Sequence, residues 1–172
     1  MNLNNLSVLD NLKSRSISPE NFTGAKSQGG RATTGTGVDC ARDLGPGWKI
    51  SPSVKIQSGQ IFEIALIDGP GTIEQIWMTP TGNWRFSILR FYWDDQEYPA
   101  VECPVGDFFA CGWGKFAPVS SLAVCVNPGS AFNCYWPMPF ARRCRITLEN
   151  IGDEEMTLYY PVSYTHLTLP TS

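Results

Sequence analysis

Carboxylate side chains are the groups in this sequence that could support catalysis, because two of them can act as general acid and general base. Most occupy settings typical of structural residues: Asp68 and Asp94-Asp95 fall in turns, and Glu102 at an exposed strand position. Asp107 is the one candidate catalytic residue, since it lies between a glycine and two phenylalanines. An aspartate in that setting more often bonds loop amides, so we place its structural role first and leave the catalytic residues unassigned. The other candidate carboxylates are Asp39, Asp43 and Glu97.

Tryptophan and arginine residues form a second chemical pattern. An aromatic face can hold the C–H surface of a sugar while planar polar groups bond its hydroxyls, as in many ligand pockets. Of the six tryptophans, Trp77, Trp93 and Trp136 fall within predicted strands, where we expect them to pack in the core or between sheets. The others lie in Gly-rich loops near charged residues, and the predicted substrate-binding residues are Asp43, Trp48, Trp84, Arg85 and Trp113, with Arg42 nearby.

An oligomer interface is the alternative interpretation of these loop residues, because Trp and Arg are typical interface anchors. We place the interface first for each residue taken singly. The two roles coincide if a sugar site lies between subunits.

The cysteines and the single histidine do not indicate a metal site. Six cysteines are present without any Cys-x-x-Cys spacing, and the histidine, His166, is near the end of the chain. Cys125, Cys134 and Cys144 lie inside apolar strand patterns, so we expect free thiols that act as small core hydrophobes. Neither a metal nor a cofactor is predicted.

The elements that must position these residues are short β-strands. Apolar residues alternate with polar ones in the predicted strands 62–66, 86–93 and 143–150, which is the period of two that a half-buried strand shows. About eight such segments, separated by turn signals such as Asp68-Gly69-Pro70-Gly71, predict an all-β sandwich or jelly roll over residues 48–160.

The first 47 residues have a different pattern and are predicted to form an N-terminal helix and an extended arm. Leu3, Leu6, Leu9 and Leu12 recur at helical spacing, which predicts a short helix over residues 3–13. Residues 16–47 are rich in Gly, Ser and Thr, and an irregular segment of that length is typical of a functional loop or one that lies across a partner.

Several longer motifs resemble one family. The runs IWMTPTGNWRFSILRFYWDD, YPAVECPVGDFF, YWPMPF and CRITLEN, in this order, are similar to the family first described as DUF2961 and now called glycoside hydrolase family 172. The resemblance covers about residues 16–160. It implies the first jelly-roll β-sandwich of a double jelly roll, homo-oligomers, and hydrolysis or transfer of fructofuranosyl or arabinofuranosyl units. It also implies a catalytic pair of glutamates in the far half of the family's chain, beyond the end of this sequence.

Length and charge argue against some classes of binding partner. The 172 residues suit a single domain, and a net charge of −3 with mixed signs argues against nucleic-acid binding and against a polybasic membrane patch. No apolar run is long enough to span a bilayer and no signal-peptide pattern begins the chain, so we expect a cytoplasmic protein. The expected partners are a carbohydrate substrate and further copies of the chain.

The chain ends in PVSYTHLTLPTS, which resembles a translated sequencing adapter, and we interpret residues 161–172 as a non-native tail. The leading hypothesis is therefore an N-terminal fragment of a furanoside hydrolase that lacks its own catalytic glutamates and is itself inactive. A non-catalytic carbohydrate-binding jelly roll and a structural assembly protein are the alternatives.

Overall fold

A computed structural model describes residues 8, 11–41, 43–45 and 47–166. Within them the regular structure is almost entirely β. The strands are β1 (Lys13–Ile17), β2 (Val54–Ile56), β3 (Ile61–Asp68), β4 (Gly71–Pro80), β5 (Ser87–Trp93), β6 (Val101–Pro104), β7 (Val119–Ser120), β8 (Val124–Val126), β9 (Phe132–Cys134), β10 (Met138–Phe140), β11 (Arg143–Asn150), β12 (Met156–Tyr159) and β13 (Val162–His166). Two one-turn helices, α1 (Val38–Ala41) and α2 (Val105–Phe108), and a 3-10 turn over Trp84–Phe86 complete the list.

The strands form two antiparallel sheets. The four-stranded sheet has the order β3-β11-β5-β6. The nine-stranded sheet runs β1-β13-β4-β9-β8-β7, with β10 and β12 also paired to β4, and β2 paired to β12. The ten-residue β4 thus hydrogen-bonds with four other strands, which makes it the centre of the larger sheet. The predicted all-β sandwich is confirmed, while the jelly-roll connectivity stays a prediction.

Alternation of side chains explains how each strand contributes to the core. In β11, Cys144, Ile146 and Leu148 have no exposed surface, whereas Arg143 and Arg145 face solvent. Its bounds are those predicted from the sequence. Removing three such side chains from water is the main favourable contribution of a strand of this kind to folding.

The N-terminal segment differs in part from its expected structure. Leu3, Leu6 and Leu9 of the predicted helix lie outside the described residues, and Leu12 is followed directly by a strand, β1, that begins at Lys13. The arm after β1 contains the short helix α1, and a hydrogen bond from Gly37 N to the Ile50 carbonyl oxygen holds it against the sandwich at 2.8 Å. The arm therefore lies on the domain in the described structure.

The residues after Tyr160 join the larger sheet as far as the structure describes them. Strand β13 pairs with β1 on one side and β4 on the other, and Val162 is fully buried. Residues 167–172 lie outside the described part. The interpretation of residues 161–172 as a non-native tail stays a prediction.

The cysteines are all free thiols. Cys111, Cys134 and Cys144 are buried, and burial raises the pKa of Cys144 to about 12, so this thiol stays protonated. The prediction of small core hydrophobes holds for these three. Cys40 is exposed, and Cys103 and Cys125 are half-buried.

Candidate functional site

Arg85 and Asp107 form an ion pair at the surface between the 3-10 turn and α2. Asn83 caps the turn, its side-chain oxygen accepting a hydrogen bond from Arg85 N at 3.0 Å, and the next element, β5, begins at Ser87. Arg85 Nη1 donates to Asp107 Oδ1 and to the Gly112 carbonyl oxygen, the latter at 3.1 Å. The Arg85 guanidinium therefore holds the Asp107 carboxylate. The sequence had suggested that loop amides would hold it.

Trp113 lies directly beside this ion pair and is 86 % exposed. Its neighbours place it there. A Cβ atom at Gly112 would lie 3.0 Å from Asp107 Oδ1, and one at Gly114 would lie 3.5 Å from Arg85 Cγ. The two glycines let the loop approach the ion pair closely, and Gly114 also adopts a φ of +66°. We call Arg85, Asp107 and Trp113 the rim cluster.

Trp84 was predicted to bind substrate, but the structure buries its side chain. Its side chain is only 8 % exposed and packs edge-on against Phe132, with ring centroids 4.9 Å apart. Because the 3-10 turn directs successive side chains to different sides, it sends Arg85 outward and Trp84 into the core. A capping residue at Asn83 was the sequence signal for that turn.

Trp48 belongs to a different segment from the rim cluster. It is 54 % exposed and follows Gly47, whose carbonyl oxygen would lie 3.5 Å from a Cβ at Gly30 of the arm. Asp43 is exposed in a turn of the same segment, and Arg42 lies outside the described residues. The structure thus brings Arg85, Asp107 and Trp113 together. The segment that contains Trp48 contacts the arm instead.

An exposed apolar group near α2 was missed from the sequence. Trp136 was expected in the core, but β9 ends at Cys134 and the Trp136 ring is 40 % exposed. It packs edge-on against Phe108 of α2 at 5.4 Å. Tyr135 N bonds the Ala123 carbonyl oxygen at 2.8 Å, and the adjoining Leu122 is 87 % exposed. Pro137, directly after Trp136, was the available signal that the strand had already ended.

Most of the other carboxylates have structural partners, as their turn and strand positions suggested. Asp94 Oδ1 accepts hydrogen bonds from the backbone N–H groups of Ala141, Arg142 and Arg143, and these bonds lower the pKa of Asp94. Among the described residues, the further ion pairs are Asp68 and Asp95 with Arg143, Asp95 also with Arg142, Glu102 and Glu149 with Arg90, Glu63 with Arg145, and Glu155 with Lys55.

Two concave regions lie along the arm, and neither is lined by a residue of the rim cluster. Among the described residues, no group of three or more His, Cys, Asp or Glu side chains could hold a metal ion. Within the described ranges, no helix has the length and apolar character needed to cross a membrane.

Comparison with known proteins relates this chain to one family. No curated protein matches this chain. A family profile described as GH172 domain-like matches residues 49–161, which takes in the strands from β2 to β12, the rim cluster and the exposed Trp136. The match confirms the resemblance carried by the motifs in these strands. The chain belongs to the GH172 domain-like family, which relates it to glycoside hydrolases.

Proposed function

We propose that this chain supplies the sugar-recognising surface of a furanoside hydrolase, acting on fructofuranosyl or arabinofuranosyl units, and that the rim cluster contacts the sugar. The observation that supports this best is Trp113, which is 86 % exposed and lies between two glycines that approach a fixed Arg–Asp pair. Burial of such an exposed side chain by a ligand is favourable.

The polar groups of the rim cluster suit a hydroxyl-bearing ligand. Arg85 donates both hydrogen bonds described above from Nη1, and a guanidinium has five N–H donors in all. Asp107 supplies acceptor oxygens, and its side chain is 32 % exposed. Sugar hydroxyls both donate and accept, so one such pair can bond two neighbouring hydroxyls while the ring covers the C–H face.

The exposure of Trp113 favours a site completed by another surface. Pockets that hold small ligands usually enclose most of the ligand, and neither of the two concave regions along the arm includes the rim cluster. Leu122, Tyr135 and Trp136 present further apolar surface near α2, and such surface is typical of protein interfaces. We propose that copies of this chain associate through these residues and that the sugar site lies at the junction.

The catalytic pair is proposed to lie outside the residues described. Hydrolysis of a glycosidic bond usually needs two carboxyl groups, one on each side of the bond. Asp107 is held by Arg85. Asp94 is held by backbone amides, and Glu102 and Asp68 are held by other arginines. We therefore assign Asp107 the role of positioning Arg85 and expect no hydrolysis from this chain.

The test is an NMR titration of the 172-residue chain with methyl α-arabinofuranoside and methyl fructofuranoside. We expect saturable shifts, and we expect Trp113→Ala to weaken the sugar affinity at least tenfold. Trp48→Ala, which removes another exposed tryptophan on a different segment, should leave the affinity unchanged. Equal binding by both variants would refute the assignment of the rim cluster. A turnover assay with an aryl arabinofuranoside should show no release, and turnover at rates typical of enzymes, about 1 per second or more, would refute the absence of a catalytic pair.

A purely structural assembly role is the second candidate, and the exposed Leu122 and Trp136 side chains favour it. Light scattering after size exclusion, combined with the sugar titration, separates the two. A structural role predicts an oligomer that Trp136→Ser dissociates and no titratable sugar response. The proposed function predicts that the sugar response is present as well and that dissociation weakens it.

A further inference from the structure

A groove lies between strand β1 and the arm that follows it. β1 is the last strand at one end of the nine-stranded sheet, so in the described structure only one of its edges pairs, with β13. The groove has a volume of about 300 Å³ and is lined by residues of β1 and of the segment 18–29. It shares no lining residue with the rim cluster.

The charged side chains of this lining are both cationic. Arg15 and Lys26 line the groove, and no carboxylate among the described residues does so. The ion pairs found in the described part of the chain involve other cations. The chain as a whole carries a net charge of −3, so the groove is a local positive region that attracts anions.

Arg15 is oriented by the strand that carries it. Its Nη1 donates to the Ser14 carbonyl oxygen at 2.8 Å, and Ser14 itself lines the groove. A guanidinium has five N–H donors in a planar fork, and phosphate oxygens accept hydrogen bonds from two of them at once. Arg15 is half-buried and Lys26 is exposed, so we expect Arg15 to make the firmer contact and Lys26 to add charge.

The arm forms a fixed wall of the groove. Ser18 and Asn21 exchange two backbone hydrogen bonds of 2.8 and 3.1 Å, and Asn21 Nδ2 donates to the Ala25 carbonyl oxygen at 2.9 Å. Gly24, at a φ of +64°, lies against the sheet, since a Cβ there would be 2.9 Å from the Tyr164 hydroxyl oxygen. A wall that is already ordered loses little conformational freedom when a ligand binds.

The rest of the lining limits the chemistry of an occupant. It consists mainly of hydroxyl and amide side chains: Ser14, Ser16, Ser18, Asn21 and Ser27. None of the described lining residues is aromatic, so a nucleobase has no ring on which to stack. The volume corresponds to about ten water molecules at about 30 Å³ each, which exceeds a phosphate group alone and leaves room for a small hydroxylated group.

We propose that this groove binds the phosphate monoester of a small polyhydroxylated molecule, with the phosphate on Arg15 and Lys26 and the hydroxyls on the serine side chains. A phosphate monoester carries about two negative charges at pH 7, which the two cations balance. The site is separate from the rim cluster and does not depend on the proposed function.

The test is an NMR titration of the 172-residue chain, with the backbone amide resonances of Ala25 and Ser27 as local reporters. We expect saturable shifts with D-fructose 6-phosphate, weaker binding of inorganic phosphate, and no shift of these resonances with D-fructose. Adenosine 5′-monophosphate should bind no more tightly than inorganic phosphate. Tighter binding of the nucleotide than of the sugar phosphate would overturn the proposal, and so would the absence of any saturable shift with the sugar phosphate.

Variants of the two cations test the site directly. Arg15→Gln should weaken the binding of D-fructose 6-phosphate about ten- to hundredfold, the usual effect of losing a charged hydrogen bond. Lys26→Gln should weaken it about three- to tenfold, because an exposed charge is more strongly screened. Arg31→Gln removes another exposed cation of the arm that does not line the groove, and it should leave the affinity unchanged. Equal weakening by all three variants would indicate attraction to the general charge of the arm and would overturn the proposal.

A melting experiment separates this role from a structural one. Because Lys26 has no counter-charge in the described groove, Lys26→Gln without ligand should leave the melting temperature unchanged or raise it. D-Fructose 6-phosphate should raise the melting temperature of the wild type but not that of Arg15→Gln. A clear drop for Lys26→Gln without ligand would show that the charge stabilises the fold, and it would overturn the proposal.

The rim cluster is checked in the same titration. Trp113→Ala should leave the Ala25 and Ser27 shifts intact, so loss of rim binding and loss of groove binding are measured separately. If Trp113→Ala abolished these shifts, the two regions would be one site and the proposal would be wrong.

Discussion

Asp94 connects two parts of the chain that are far apart in sequence. It adopts a φ of +53°, a conformation that aspartate tolerates better than most residues, at the turn after β5. Its Oδ1 accepts three backbone hydrogen bonds from residues 141–143, at 2.6 to 3.2 Å. The residue type predicted a turn, but its partners are 47 to 49 residues away, and no local pattern encodes such a contact.

Asp94 should make folding stability depend on pH. Its backbone hydrogen bonds lower its pKa in the folded state below the ordinary value of 3.8. A depressed folded pKa stabilises the protein above the unfolded pKa, and this contribution is lost as the pH falls through the folded value. We therefore expect Asp94→Asn to lower the melting temperature at pH 7 and to match the wild type at about pH 2.

Melting curves from pH 7 to pH 2 measure this effect. Glu97→Gln, which removes an exposed carboxylate from the same loop, is the control and should follow the wild-type profile. A constant difference between Asp94→Asn and the wild type at every pH would contradict the argument, because it would mean that the charge of the carboxylate is not involved.

At the scale of elements, the one-turn helix α2 positions the rim cluster, although the sequence suggested only a loop there. The Gly106 carbonyl oxygen closes the turn by accepting hydrogen bonds from Phe109 N at 3.1 Å and Cys111 N at 2.7 Å. The chain passes so close that a Cβ at Gly106 would lie 2.6 Å from the Cys111 carbonyl oxygen. The glycine-rich sequence predicts a loop here, but it does not reveal how closely Gly106 approaches the Cys111 carbonyl oxygen.

Gly106→Ala should therefore destabilise the protein. The added methyl group meets a backbone atom that cannot move without breaking the turn, and overpacking of this kind costs roughly 1–3 kcal/mol of unfolding free energy. Urea denaturation measures the change. Gly29→Ala is the matched control, because a Cβ at Gly29 has no neighbouring atom within 4 Å. A Gly106→Ala variant as stable as the Gly29→Ala variant would contradict the described geometry of α2.

Strand positions were the easier part to predict. The alternation in β11 follows directly from the two faces of a strand, and its bounds match the sequence. The pairing of β4 with four strands could not be predicted, because it depends on residues far along the chain. Trp84 shows the same limit at the candidate site: its glycine-rich setting predicted exposure, whereas the 3-10 turn buries it against Phe132.

At the scale of the whole molecule, one row of aromatic rings joins the two sheets through α2. Phe91 of the four-stranded sheet stacks on Phe108 at 5.0 Å, and Phe109 stacks on Phe132 of the nine-stranded sheet at 5.3 Å. The two central rings thus come from Phe108, the last residue of α2, and Phe109, which follows it directly, and the same helix carries Asp107. Stability of the sandwich and geometry of the rim cluster depend on the same element, so damage to this row should affect both.

Phe109→Ala tests this dependence. The ring is fully buried, and removing a buried phenylalanine side chain costs about 3–5 kcal/mol of unfolding free energy, through lost burial and the cavity left behind. Phe116→Ala, at a residue 49 % exposed, should cost less than about 1 kcal/mol. Because α2 loses its support in the larger sheet, Phe109→Ala should also weaken furanoside binding under conditions where the variant is still folded, whereas Phe116→Ala should not. Denaturation and sugar titration of the same two samples measure both effects. A Phe109→Ala variant with the expected loss of stability but unchanged binding would mean that the rim cluster is positioned by its own ion pair alone.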